Sequence, residues 1–194
     1  ILVCSIIIIM IMGVRQSLGL FLEPISQFMK DGKEFFSFAI GFQAIIWGVV
    51  TFGSGILIDK FGPQKILAFG IICFASGIFL MSNPNNQLTL FSATSLMGFG
   101  LGGAGMATMV SIAGKVAPPE KRSLAMGLIA AAASFGQFAV VLPTMWMNKI
   151  FGWETSLIVL SIITISLLLL LPLLNNTNEQ NNKNKAQEYI HIVE

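Results

Sequence analysis

Charge is what this sequence has least of. Only 10% of its 194 residues are Asp, Glu, Lys or Arg, against 55% hydrophobic residues. A soluble domain carries about 25% charged residues, so too few charges are present to clothe a water-soluble globule. Histidine is nearly absent: His191 is the single one, and it lies in the polar C-terminal stretch. The two cysteines, Cys4 and Cys73, fall inside apolar runs. This scarcity excludes a Cys/His metal constellation in the apolar body and a disulfide framework, and leaves the cysteines as small buried hydrophobes. No cofactor and no nucleic-acid partner are expected. A methionine start and a basic leader are missing too. Ile1 opens directly on an apolar run, unlike a signal peptide, and the chain is expected to be cut inside its first transmembrane helix.

What is present is a series of long hydrophobic runs separated by small polar knots. No charge occurs between Glu34 and Asp59, between Lys65 and Lys115, or between Arg122 and Lys149. The second of these stretches is split by Asn83-Pro84-Asn85-Asn86-Gln87. A bilayer needs about 20 apolar residues per helix, which predicts six spans at roughly 1–29, 36–58, 66–82, 88–112, 123–147 and 153–174. Strands of a membrane barrel would alternate in polarity; Ile6-Ile7-Ile8-Ile9 and the leucines of 167–171 do not. The expected fold is therefore an all-α, multi-pass membrane protein whose partner is the lipid bilayer.

Orientation follows from the basic residues. The connections after helices 2 and 4, with the tail, carry Lys60, Lys65, Lys115, Lys121, Arg122, Lys183 and Lys185, whereas those after helices 1, 3 and 5 carry Lys30, Lys33 and Lys149. The excess places the C-terminal tail in the cytoplasm. Residues 1–174 read as one six-helix bundle and 175–194 as a polar cytoplasmic linker. The glycosylation pattern Asn175-Asn176-Thr177 is discounted on this orientation.

Against so apolar a background, a few residues stand out. Arg15 lies deep in helix 1, where a central arginine costs about 2.5–3.5 kcal/mol on insertion scales. Glu23 is eight residues on, about 12 Å along the axis and too far for a direct pair. A cation left free in this way can hold an anionic ligand through its planar fork; the competing role is a snorkelling or helix-bridging arginine. Gln16, Gln43 and Gln137 are the other intramembrane amides, either ligand contacts or interhelical hydrogen bonders. Trp47 falls four residues after Gln43, on the same helix face. Gly98 and Gly102 form a G-x-x-x-G face on helix 4, and Gly136 and Pro143 mark helix 5, for tight packing or a hinge.

The segment after helix 2 reads Gly55-Ile56-Leu57-Ile58-Asp59-Lys60-Phe61-Gly62-Pro63-Gln64-Lys65. It resembles the cytoplasmic signature of the major facilitator superfamily. Gly55 would allow helices to cross, Asp59 would meet the positive N-terminus of another helix, Gly62 would make the turn, and Lys60 and Lys65 would anchor the cytoplasmic side. Gly13 to Leu22, with Lys33 to Ala39, Gln43, Trp47 and Gly48 after it, is similar to bacterial members near the monocarboxylate and oxalate/formate transporters. Pro118 to Gly127 and Gly152-Trp153-Glu154 resemble the family's entries to helices 5 and 6. The resemblance implies the N-terminal six helices of a twelve-helix transporter, each half a 3+3 inverted repeat. Asp59-Lys60-Phe61-Gly62 against Asn148-Lys149-Ile150-Phe151-Gly152 is a trace of that repeat.

What the resemblance further implies is alternating access for a small organic anion such as a monocarboxylate, with a proton or counter-anion as coupled partner and a missing C-terminal half. Arg15, Gln16, Gln43, Trp47 and Gln137 would line the substrate site; Gly55, Asp59, Lys60, Gly62 and Lys65 would form the cytoplasmic gate. The residues Ser92 to Met97 include no arginine, and helix 5 lacks a Gly-Pro-x-x-Gly-Gly stretch, both unlike drug/proton antiporters. The location implied is a bacterial inner membrane. A self-contained six-helix protein that dimerises into a channel or transporter, or a non-transporting relative, is the alternative. An intramembrane enzyme is not expected, because a Ser/His pair is out of reach of His191.

Overall fold

The computed structural model describes residues 1–29 and 33–173. Among them, six helices are long and apolar enough to cross a membrane: α1 (Leu2–Met29), α2 (Lys33–Phe61), α3 (Pro63–Met81), α4 (Gln87–Val116), α5 (Pro119–Phe151) and α6 (Trp153–Leu170). No strand occurs among the described residues. The linker expected over 175–194, with Lys183, Lys185 and His191, lies outside them, as does Lys30.

Several helices run past the expected limits. α2 takes in Lys33, Glu34, Asp59 and Lys60 at its two ends, α4 continues through Lys115, and α5 through Lys149. Charge does not end a helix at a bilayer edge. Backbone groups there still need partners, and lysine stems lie along the apolar surface while their ammonium groups reach water. α6 tightens to a 3-10 helix over Leu167–Leu170 near the end of the described residues. The polar knot before α4 supplies a cap: the Asn86 side chain accepts from the Thr89 backbone N–H at 2.8 Å.

α4 occupies the centre. Its most apolar window is 67% buried, against 17% for α2 and 28% for α5. Glycine makes that position possible, on two faces. Toward α2, a Cβ added to Gly98 would lie 2.8 Å from the Gln43 carbonyl oxygen, and one on Gly102 would strike the Val50 side chain. Toward α3, a Cβ on Gly100 would lie 2.6 Å from the Phe74 backbone nitrogen. The Gly98/Gly102 face lies against α2, and the intervening Gly100 serves a second neighbour. The same device joins α1 to α5, where a Cβ on Gly136 would lie 2.6 Å from the Ile9 Cα and one on Gly13 would meet the Gly136 carbonyl at 2.5 Å. Ile7, Ile8, Ile11, Phe74, Met97, Leu101, Ile129 and Leu157 fill the spaces between these crossings, all fully buried.

The two triplets repeat one another. α1 crosses α5 as α4 crosses α2. Gly62 and Gly152, ninety residues apart, open α3 and α6 with almost the same backbone, φ 85° and ψ 154° against φ 82° and ψ 164°. That region is close to glycine-only, and these are the positive-φ glycines among the described residues. Ser54 and Thr144 are also ninety residues apart. Thr108 of α4 approaches Ser54 at 3.5 Å, and Ser17 of α1 approaches Thr144 at 3.4 Å. One glycine corner follows an even-numbered helix and the other an odd-numbered one, so they face opposite sides of the membrane. The arrangement is a 3+3 inverted repeat.

Among the described residues, α1, α4 and α5 are interrupted within their spans. α1 tightens to a 3-10 turn over Leu18–Phe21. α4 breaks at Gly105, whose extended backbone (φ −80°, ψ −170°) halts the ladder; the Thr108 hydroxyl then donates to the Gly102 carbonyl at 3.0 Å. α5 breaks at Val140, where Pro143 has no N–H to give the carbonyl of Ala139.

Candidate functional site: a polar and aromatic cavity between helices 1, 2 and 4

The interruptions in α1 and α4 flank a cavity of about 350 Å³. α1 contributes Arg15, Gln16, Leu18, Gly19 and Leu22; α2 contributes Phe36, Ser37, Ile40, Gln43, Ala44 and Trp47; α4 contributes Leu101. The α2 side follows from spacing. Phe36, Ile40, Gln43 and Trp47 stand at intervals of four, three and four residues, one stripe of a helix. Gly19 leaves the opposite wall recessed, since a Cβ there would meet nothing within 4 Å.

Arg15 holds the polar end. Its guanidinium carbon lies 4.6 Å from the centre of the Trp47 ring, within the range of a cation–π contact. The salt bridges among the described residues are Lys33–Glu23 and Lys115–Asp59, and neither involves Arg15. Glu23 turns away to Lys33 and accepts from the Gln27 amide at 2.9 Å. The ring face restrains the guanidinium while its N–H edges stay available, the geometry that suits a carboxylate fork. Trp47 is itself seated by the α4 break: its Nε1 lies 3.3 Å from where a Gly105 Cβ would be.

Gln43 is buried, and its side-chain Nε2 has no hydrogen-bond partner among the described residues. Gln16 is exposed at the cavity rim. Four of the five expected residues, Arg15, Gln16, Gln43 and Trp47, are therefore brought together. Gln137 is not: it sits on α5, half-buried and outside this lining, next to the Gly136 crossing with α1. Phe36, Ser37 and Leu101 join the lining without having been expected there. The stripe through Gln43 and Trp47, extended backward by whole turns, reaches Phe36.

A second cluster lies at the ends of α2 and α4. Asp59 pairs with Lys115, so the partner of Asp59 is a side chain of α4 and not a helix N-terminus. Pairing with Lys115 satisfies the carboxylate more directly than a macrodipole does. Lys60 lies over the Phe61 ring at 5.4 Å. Gly62 makes the expected turn. Lys65 is exposed beside a cleft between α3 and α6. Gly55 differs from expectation: a Cβ there would meet nothing within 4 Å, so it mediates no close crossing among the described residues.

Six apolar helices in an inverted repeat, turned at matching glycines and enclosing a cavity with one polar end, define a multi-pass membrane protein. The sequence matches the Major Facilitator Superfamily over residues 4–192, and the chain belongs to that family. It is 28% identical over 162 residues to an uncharacterised MFS-type transporter of Bacillus subtilis, covering 80% of this chain and 38% of the relative. It is 28% identical over 127 residues to an agnestins efflux protein of Paecilomyces divaricatus, covering 64% and 27%. It is also 28% identical over 116 residues to a protein named "Probable 4-methylmuconolactone transporter" in Cupriavidus pinatubonensis, covering 58% and 27%. The chain spans well under half the length of these curated relatives.

Proposed function

We propose that this chain is the N-terminal half of a secondary transporter that carries a small organic anion by alternating access, without making or breaking a bond. The observation that carries the reading is Arg15: a cation inside an apolar bundle, stacked on Trp47, with no carboxylate bridged to it among the described residues, and open to a cavity. Transporter and efflux names among the relatives support the class. In this reading residues 175–194 link to a second six-helix half, and the exposed apolar faces of α2 and α5, with Val49, Phe52, Phe135 and Phe138, pack against it. Asp59, Lys115, Gly62 and Lys65 belong to a cytoplasmic gate in a bacterial inner membrane, with the tail on the same side. A monocarboxylate fits a single cation. Any coupled proton or counter-anion works with the second half or with the substrate itself.

The test is uptake of labelled mono- and dicarboxylates by the full-length protein in vesicles. Arg15→Ala is expected to abolish uptake while membrane insertion persists. Arg15→Lys, which keeps the charge but loses the fork, is expected to recover only a small part. Undiminished uptake by Arg15→Ala would sink the substrate role.

A further inference from the structure

The cavity holds a second polar group that a simple anion does not use. Gln43 is 3% exposed, lines the cavity, and leaves its amide Nε2 without a partner among the described residues. The bland role for such a residue is an interhelical hydrogen bond. Here Gly98 brings α4 against the Gln43 backbone, close enough that an added Cβ would sit 2.8 Å from the carbonyl oxygen, and the amide nitrogen still finds no acceptor. A buried donor left unmet is unfavourable in the empty protein and favours whatever ligand supplies an acceptor.

Position adds a second constraint. Gln43 and Trp47 are one turn apart on α2, about 5–6 Å between their Cβ atoms, and Arg15 sits on the Trp47 ring. The cation and the amide therefore both line the one cavity, with Phe36, Ile40, Leu22 and Leu101 as apolar wall around them. We infer that the ligand is an organic carboxylate that also carries a neutral hydrogen-bond acceptor, a carbonyl oxygen or a ring nitrogen, on a compact apolar body. The carboxylate meets Arg15, and the acceptor takes the Gln43 N–H once the amide, whose nitrogen is closed off in this conformation, turns about its terminal bond into the cavity. The inference rests on the anion reading above and makes Gln43 the specificity-determining residue. A plain alkanoate or arenecarboxylate of the same shape leaves the amide unmet and is discriminated against.

Matched pairs of anions test it by calorimetry on the purified full-length protein: pyridine-4-carboxylate against benzoate, and 4-oxopentanoate against 4-methylpentanoate. Each pair keeps size and charge and differs in the acceptor. The wild type is expected to bind the acceptor-bearing member at least about tenfold more tightly, the scale of one buried hydrogen bond. Gln43→Leu and Gln43→Met are both expected to bring the ratio within each pair close to one. The ratio cancels any general loss of affinity that a substitution brings, and the wild-type ratio tests the inference even where a variant fails to fold. Equal affinities in the wild type, or a ratio that survives in both Gln43 variants, overturns the inference; a water held by the amide would give the first result. If Arg15→Ala then still removes benzoate binding, the anion reading stands alone. If no probe binds the wild type, or Arg15→Ala leaves binding unchanged, the anion reading fails and this inference with it.

Discussion

At the scale of single residues, the cavity couples one expensive group to one restraining group. Arg15 is tolerated in α1 because its guanidinium reaches a cavity and the face of Trp47. The contact should be worth about 0.5–2 kcal/mol, so Trp47→Leu is expected to weaken anion binding by roughly three- to thirtyfold. Trp47→Phe should fall between, because its ring is smaller. Titration calorimetry of the full-length protein with benzoate would check the order, and equal affinities for all three proteins would refute the positioning role. Much of this site is legible in the sequence. Arg15 is conspicuous because charge is so scarce, and Gln43 and Trp47 are joined by helical spacing alone. Gln137 is not placeable in the same way. Its helix is legible, but which face of α5 turns toward α1 depends on where Gly136 and Ile9 meet, and that is a tertiary fact.

At the scale of elements, glycine decides which helices touch. The six spans are readable because charges and the Asn-rich knot punctuate them. Their ends reach further than that punctuation suggests, because lysines at a membrane boundary stay helical. The breaks are partly readable: Pro143 announces one, whereas the 3-10 turn over Leu18–Phe21 carries no signal beyond Gly19. Two outcomes belong here. Gly136→Leu forces a side chain into the Ile9 backbone and is expected to destabilise the bundle by about 1–3 kcal/mol or more, as overpacking does. Gly127→Leu, at a glycine with open space around it, should cost far less, and thermal unfolding in detergent compares the two. Gly105→Ala adds a Cβ that meets Trp47 Nε1 at 3.3 Å and clashes with the Leu101 carbonyl. It is expected to shift Trp47 and lower anion affinity; an unchanged affinity would show that the break does not seat the ring.

At the scale of the whole molecule, the repeat makes predictions that no single helix does. Gly62 and Gly152 share one backbone conformation, so Gly62→Ala and Gly152→Ala should be destabilising by similar amounts, about 1–3 kcal/mol each for residues forced into that region. Unequal unfolding shifts would mean that one corner relaxes and the other does not. Sequence shows the repeat only faintly, through Asp59-Lys60-Phe61-Gly62 and Asn148 to Gly152, because inverted triplets share geometry without needing to share side chains. The Ser54–Thr108 and Ser17–Thr144 approaches make the correspondence visible once the chain is folded.

The seating of Trp47 beneath a cation has one more consequence. Three tryptophans occur in the chain. Trp146 is exposed on α5, and Trp153 lies edge-on to Phe28 at 5.4 Å, both away from the cavity lining. Trp47 alone of the three stands in that lining. A protein keeping only this indole would carry its own optical probe: an anion drawing the guanidinium off the ring would change the emission, and occupancy could be followed by light without any label.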